Sequence, residues 1–537
     1  MSIFTRLFLF AAIGLAIFPA CNSNSNSMPV ATDSIPEPSP AEMGIPGSFS
    51  AQTKLTFDSL LIQSFLDSFP LFDKFGTDIR GFYRGRNYAY AWFDEKGMIE
   101  HANNLFNRIQ LISEEGLPDS IPYKSAFVNL MELESGSGKI MPPVELMLTA
   151  QYLAYAKKVW VGISEKESLS TEWLLPRKKI SSKALLDSLV AGDNNLLDNS
   201  PMFIQYDLLK TYLKKYHQLQ ASGRLATNLP GKKSYRLKDS SSAVADIRER
   251  LFLLGDLAEN NASSLYDSML EEGVKNVEKR LGFKQDGIAD ADLLKELNYP
   301  VEKRIEEILV NMERSRWVPN ELQSDFLLVN IPEFKLHVYE ADSLAFSMNV
   351  VVGKEQHKTV VFNGDMKYIV FSPYWNIPPG IMKNETLPAV RRNRNYLARH
   401  NMEWHNGSIR QKPGPNNSLG LVKFLFPNSH NIYLHDTPAK SLFNESTRAF
   451  SHGCIRVAEP TRLADYLLRN DTSWTQEKIV AAMNKGVEKY VTLKKPVPVF
   501  IAYFTAWVDK SGKLNFRKDI YDRNGRLAKM IFEKPAI

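Results

Sequence analysis

Phe450-Ser451-His452-Gly453-Cys454-Ile455-Arg456-Val457 decides how this chain is read. Cys454 is the last cysteine of the body of the sequence, and a thiol at neutral pH is only a few per cent ionised, so it needs a base or a cation beside it to react. His452 lies two residues away and would share a face with Cys454 on an extended strand, although Gly453 favours a bend. His435 lies upstream in Ile432-Tyr433-Leu434-His435-Asp436, at the end of a predicted strand. Strand pairing would bring its ring to the sulfur, so His435 is the preferred base, with the backbone carbonyl or carboxylate of Asp436 expected to orient it. Gly453 lets a carbonyl approach the backbone and lets its own amide and that of Cys454 point together as an oxyanion hole. Arg456 is placed either to meet a substrate carboxylate or to bond nearby backbone carbonyls. The pairing reads as a nucleophile with its base, as in acyl-transferring cysteine enzymes.

Around this stretch the pattern has period two. Phe334, Leu336 and Val338 alternate with Lys335, His337 and Tyr339, and further strand-like runs occur at 350–353, 368–371, 432–434 and 497–503. Prolines and glycines interrupt it between Trp375 and Pro427, with a helical stretch near 387–400, which reads as an inserted lid. Residues 54–235 have helical spacing, as in Leu146-Met147-Ala150-Leu153-Ala154. Their aromatic residues Tyr152, Tyr155, Trp160, Trp173, Phe203 and Tyr206 read as core. After the break at Pro230-Gly231, residues 236–298 predict three short helices joined by Gly-Asp and Asp-Gly turns. Val301, Ile305, Ile308, Leu309 and Met312 mark one face of an amphipathic connecting helix within 299–322. The expected fold is therefore α+β and multidomain: a helical scaffold, a small three-helix module, a β-rich domain over 323–500 with its lid at about 375–427, and a C-terminal extension over 501–537.

The start of the chain has the proportions of a secretory leader. Arg6 precedes an apolar stretch at 7–18 that is too short to remain as a membrane span. Phe18-Pro19-Ala20-Cys21 resembles the lipobox of bacterial lipoproteins, which implies a leader over 1–20, lipidation of Cys21 and export to a periplasm-facing membrane, inner or outer. Residues 21–53, rich in Asn, Ser and Pro, read as a disordered tether. Lipidation of Cys21 would leave Cys454 without a disulfide partner in an oxidising compartment, where a lone thiol needs a reason. With 44% hydrophobic and 23% charged residues among 537, the chain is globular and long enough for about three domains. Its formal charge of +6, read as spread along the sequence, implies a solvated surface and no nucleic-acid partner.

Ser451-His452-Gly453-Cys454-Ile455-Arg456 with His435 upstream resembles the signature of the YkuD-type L,D-transpeptidases of bacterial cell walls. Ser372-Pro373-Tyr374-Trp375-Asn376-Ile377-Pro378, Pro413-Gly414-Pro415, Lys423-Phe424-Leu425-Phe426-Pro427-Asn428, His435-Asp436-Thr437-Pro438 and Tyr503-Phe504-Thr505-Ala506-Trp507 resemble the large, lid-bearing form of that family. In that form a helical scaffold and a peptidoglycan-binding module accompany the catalytic domain, and residues 236–298 resemble such a module. The resemblance implies a monomer without cofactor or metal whose partners are peptidoglycan stem peptides and glycan. Cys454 would attack the amide between the third residue of a donor stem and its D-alanine, and an acceptor amine would resolve the thioester to a 3→3 crosslink. Carbapenems would acylate the same sulfur. Ser451, His452, Arg456, Tyr433, Trp375 and Asn376 complete the expected substrate-binding set. Three alternatives stay open: an L,D-carboxypeptidase using the same residues, a zinc site of His435, His452 and Cys454, and a non-catalytic wall-binding lipoprotein.

Overall fold

A computed structural model describes residues 54–112, 121–137, 140–177, 201–226, 228–230, 234–318, 325–341 and 343–532. The expected leader, Cys21 and the tether lie outside the described residues, and so does the side chain of Phe203.

The scaffold is built around the helix Pro142–Ala156, which is buried on every side from Val144 to Ala156. A helix without a polar face has to be a core element, and helices Leu60–Ser68, Gly76–Gly85, Glu100–Gln110 and Pro201–Ser222 contribute apolar side chains to the same core. The aromatic residues expected as core are core: Tyr152, Tyr155, Trp160, Trp173 and Tyr206 are all buried.

Three helices follow, Ser242–Leu254, Ser268–Leu281 and Ala291–Leu297, around a separate apolar cluster that includes Val244, Ile247, Tyr266, Val274 and Leu293. Gly255, in the Gly255-Asp256 turn, and Gly282 take the left-handed conformation at helix ends, and Asp267 and Asp290 cap the next helices by accepting from the amides of Leu270 and Leu293. The connecting helix Val301–Arg316 departs from the expected one-sided pattern. From Ile308 to Arg316 every residue is buried, because the scaffold helix Pro201–Ser222 and the C-terminal helix Arg523–Phe532 both pack against it. Its polar groups are accordingly paired, with Asn311 bonded to Thr505 and Arg314 to Asn524.

Among the described residues the main sheet of the β-rich domain has nine strands: β1 Phe326–Asn330, β2 Lys335–Glu340, β3 Ser343–Gly353, β4 Phe362–Phe371, β5 Val422–Leu425, β6 Leu434–His435, β7 Ala449–Ser451, β8 Ile455–Val457 and β9 Lys489–Ala502. Their order is β7-β3-β8-β6-β5-β4-β9-β1-β2, and β2 also pairs with β3, so eight strands close into a ring that removes their edges. Inward residues such as Leu336, Val350, Ile369, Phe424, Leu434, Ile455 and Val499 form the core.

The lid is shorter than expected. Strand β5 pairs with both β4 and β6, so residues 422–425 belong to the barrel and the insertion ends at 421. Within it, Trp375–Asn376, Ser408–Gln411 and Met402–His405 form a small sheet with Ser408–Gln411 in the middle, beside helical turns at Met382–Thr386, Leu387–Arg392 and Tyr396–Arg399. Trp404 is 57% exposed on that sheet.

Candidate active site

Strands β6 and β8 run parallel, with Leu434 level with Ile455 and His435 level with Arg456. Leu434, Ile455 and Val457 point into the core. Alternation therefore puts Tyr433, His435, Cys454 and Arg456 together on the opposite face. The histidine and the cysteine chosen from the sequence are diagonal neighbours across one parallel pair. On its other side His435 is level with Lys423 of β5, so two cations flank the imidazole in one row.

His435 is buried, and its Nδ1 lies 2.5 Å from the backbone carbonyl of Asp436. That carbonyl requires a proton on Nδ1, which leaves Nε2 as the acceptor. The orienting group is thus the Asp436 backbone. The Asp436 carboxylate is engaged elsewhere, accepting from the Leu421 amide at 2.8 Å and from Lys440 at 2.5 Å. Burial and the Arg456 guanidinium push His435 down to about 4 against the opposing pull of the Asp436 carbonyl. Burial likewise raises the Cys454 thiol, opposed by hydrogen bonding to Tyr433 and by the charge of Arg456. The resting pair is a neutral thiol and a neutral imidazole.

This sets a pH dependence. His435 accepts a proton only when neutral, so acylation should be lost as pH falls through about 4, well below the usual histidine range. Above that limb the rate constant for acylation of the free enzyme should be level into the alkaline range. A limb near the ordinary histidine value of about 6.5, measured by acylation kinetics across that range, would contradict the neutral pair.

Two expected roles are corrected by the turn before β8. The Gly453 amide donates to Ser451 Oγ at 3.1 Å, and that hydroxyl donates to the Cys454 carbonyl at 2.5 Å. Gly453 is therefore not the oxyanion donor that its position predicts, and Ser451, which is buried, closes the turn instead of facing substrate. The Cys454 amide has no hydrogen-bond partner among the described residues. Gly453 is still required, since its φ of +112° is one that other residues rarely adopt.

The turn is held from outside the signature, by residues that sequence reading did not single out. Thr359 Oγ1 donates to the Gly453 carbonyl at 2.9 Å and accepts from the Gly353 amide at 2.9 Å. The Tyr521 hydroxyl, from the C-terminal extension, donates to the Gly353 carbonyl at 2.5 Å. A Cβ on Gly353 would lie 2.0 Å from the His357 carbonyl and 3.1 Å from Gly453 Cα. Gly353→Ala should therefore destabilise the protein by about 3 kcal/mol, read as a lower urea midpoint with loss of acylation. A variant with the parent's midpoint would show that this approach is not needed.

His452 is turned away from the thiol: its Nε2 lies 2.9 Å from Glu385 of the lid, and its ring lies 5.0 Å from that of His357. Trp375 and Asn376 pair with Gln411 and Arg410 in the lid sheet. Arg456 lies beside Cys454, and its Nε is buried without a hydrogen-bond partner among the described residues. For the zinc alternative, no group of three or more His, Cys, Asp or Glu among the described residues converges as a metal site.

Residues 324–498, which contain Tyr433, His435, Cys454 and Arg456 but not Tyr521, match the model of the L,D-transpeptidase catalytic domain (YkuD), and residues 77–213 match a scaffold domain. A protein of Haemophilus influenzae, provisionally named an L,D-transpeptidase, is 31% identical over 248 residues, which are 42% of this chain and 50% of that protein. The chain thus spans about half the length of this curated relative. Among solved structures, an L,D-transpeptidase of Stackebrandtia nassauensis is 14% identical with a TM-score of 0.20, covering 50% of this chain and 94% of that one. Residues 123–326 of an L,D-transpeptidase from Xylanimonas cellulosilytica are 11% identical with a TM-score of 0.18, covering 51% and 99%. At those TM-scores neither structure bears on the assignment, and what the comparisons establish is that the β-rich part of this chain matches the YkuD L,D-transpeptidase catalytic domain over residues 324–498.

Proposed function

We propose that the protein forms 3→3 peptidoglycan crosslinks through a thioester on Cys454. The observation that carries the reading is the placement of Cys454 and a neutral, carbonyl-anchored His435 on one face of the β6–β8 pair. As Cys454 Sγ attacks the donor amide carbonyl, the thiol proton passes to His435 Nε2. The C–N bond then breaks, the proton goes to the departing D-alanine amine, and the acyl group stays on sulfur. An acceptor amine attacks the thioester, gives its proton to His435, and the C–S bond breaks to return the thiol. The Cys454 amide is the oxyanion donor left by the turn, and one such donor lowers a barrier by about 3 kcal/mol. Arg456 is available for a donor carboxylate. A hydrolase would differ only in resolving the thioester with water. Incubation with disaccharide-tetrapeptides separates the two: dimers lacking one D-alanine are expected, and tripeptides alone would make the protein an L,D-carboxypeptidase.

The lipobox-like sequence at Cys21 supports a periplasm-facing lipoprotein. Cys21→Ser should shift the protein from the membrane to the soluble fraction, and persistence in the membrane would remove the anchor.

A further inference from the structure

The excess of positive charge is not spread along the chain as its composition was read. The whole sequence has a formal charge of +6, and residues 375–421 alone hold seven Lys and Arg against two Glu, an excess of five. Both lid carboxylates are engaged, Glu403 with Arg410 and Lys412 and Glu385 with His452. Lys383, Arg391, Arg392, Arg394 and Arg399 are exposed, and none has an ion-pair partner among the described residues. Uncompensated like charges repel one another, so such a cluster is most stable with an anion against it. The lid that carries it is fastened by Glu385 to His452, two residues from the nucleophile.

We propose that this arginine cluster is a docking surface for a polymeric, carboxylate-bearing peptide strand of the wall, which it holds beside the Cys454 face. The inference rests on the acyl-transfer reading above. Guanidinium forks match carboxylates, but each exposed pair is weak by itself. Four arginines within nine residues, on two short helices and the turn between them, gain by engaging several carboxylates at once, which favours a polymer over a single peptide. An anionic lipid surface is the rival occupant, because the exposed Trp404 on the neighbouring hairpin has the character of an interfacial side chain.

The test uses the full chain in a Cys454→Ala background, sedimented with insoluble peptidoglycan from about 50 to about 500 mM NaCl. Binding should fall steeply with salt. The Arg391→Gln, Arg392→Gln, Arg394→Gln, Arg399→Gln combination should bind about tenfold more weakly at low salt, with a shallow salt dependence, and the four corresponding Lys substitutions should restore most of the binding. With Cys454 present, acylation by a soluble disaccharide-tetrapeptide should differ by less than roughly twofold between parent and Gln variant, which also shows that the variant is folded. Equal sedimentation of parent and Gln variant at every salt concentration would overturn the proposal. So would parent binding to vesicles containing phosphatidylglycerol but not to peptidoglycan. Failure of the soluble donor to acylate the parent would instead sink the acyl-transfer reading, while the sedimentation arms still decide the docking surface.

Discussion

Cys454→Ala should abolish covalent capture of a donor peptide and lower turnover by roughly four orders of magnitude or more, because Cys454 is the one cysteine among the described residues and members of a nucleophile–base unit fail together. The fold should survive. Cys454 is half-buried, and its sulfur lies 3.7 Å from the Asn431 carbonyl in addition to its hydrogen bonding with Tyr433, so the loss of stability should stay below about 1 kcal/mol. Thermal unfolding and acylation measured on the same preparation separate the two effects. Retained turnover in a folded variant would move the nucleophile elsewhere.

His435→Ala should come next in size, with acylation reduced by roughly 10²–10⁴, whereas His452→Ala should cost less than about tenfold. The ranking follows from what each imidazole touches. His435 is buried and held through Nδ1 by the Asp436 carbonyl, with Nε2 left to accept the thiol proton. His452 is exposed and bonded to Glu385 on the lid, and an exposed pair contributes about 1 kcal/mol or less. His435→Gln gives a control that preserves most of the side-chain volume in the buried site. If His452→Ala proves the more damaging change in acylation rate, the base is His452 and the face assignment of His435 is wrong.

The parts of the site that were legible in the sequence are those set by local rules. A strand ending at His435 and a turn at Cys454 required only one pairing to share a face, and β6–β8 supplies it. The Asp436 carbonyl was legible for the same reason, since it lies next in the chain. What the sequence hid depends on distant closure. Thr359 reaches Gly453 across 94 positions and Tyr521 reaches Gly353 across 168, and neither bond leaves a periodic signal. The oxyanion assignment failed at Gly453 because the Ser451 hydroxyl, two residues upstream, takes its amide. Such side-chain-to-backbone competition is decided by turn geometry that composition does not encode. The lid was drawn too long because Val422–Leu425 is a short run of four residues, interrupted by Lys423 and close to Pro427, and only its pairing with β4 and β6 makes it barrel. The connecting helix shows one apolar face in its sequence, yet its part from Ile308 to Arg316 is buried on all sides because two helices pack against it and its polar residues find fixed partners.

The most direct test of the account is mass analysis of the intact protein after brief exposure to a disaccharide-tetrapeptide, followed by proteolytic mapping. Acyl transfer through Cys454 predicts an adduct equal to the donor acyl group without its terminal D-alanine, located on the peptide containing Cys454 and lost when an acceptor amine is added. An adduct on any other residue, or product release with Cys454 replaced, would contradict it.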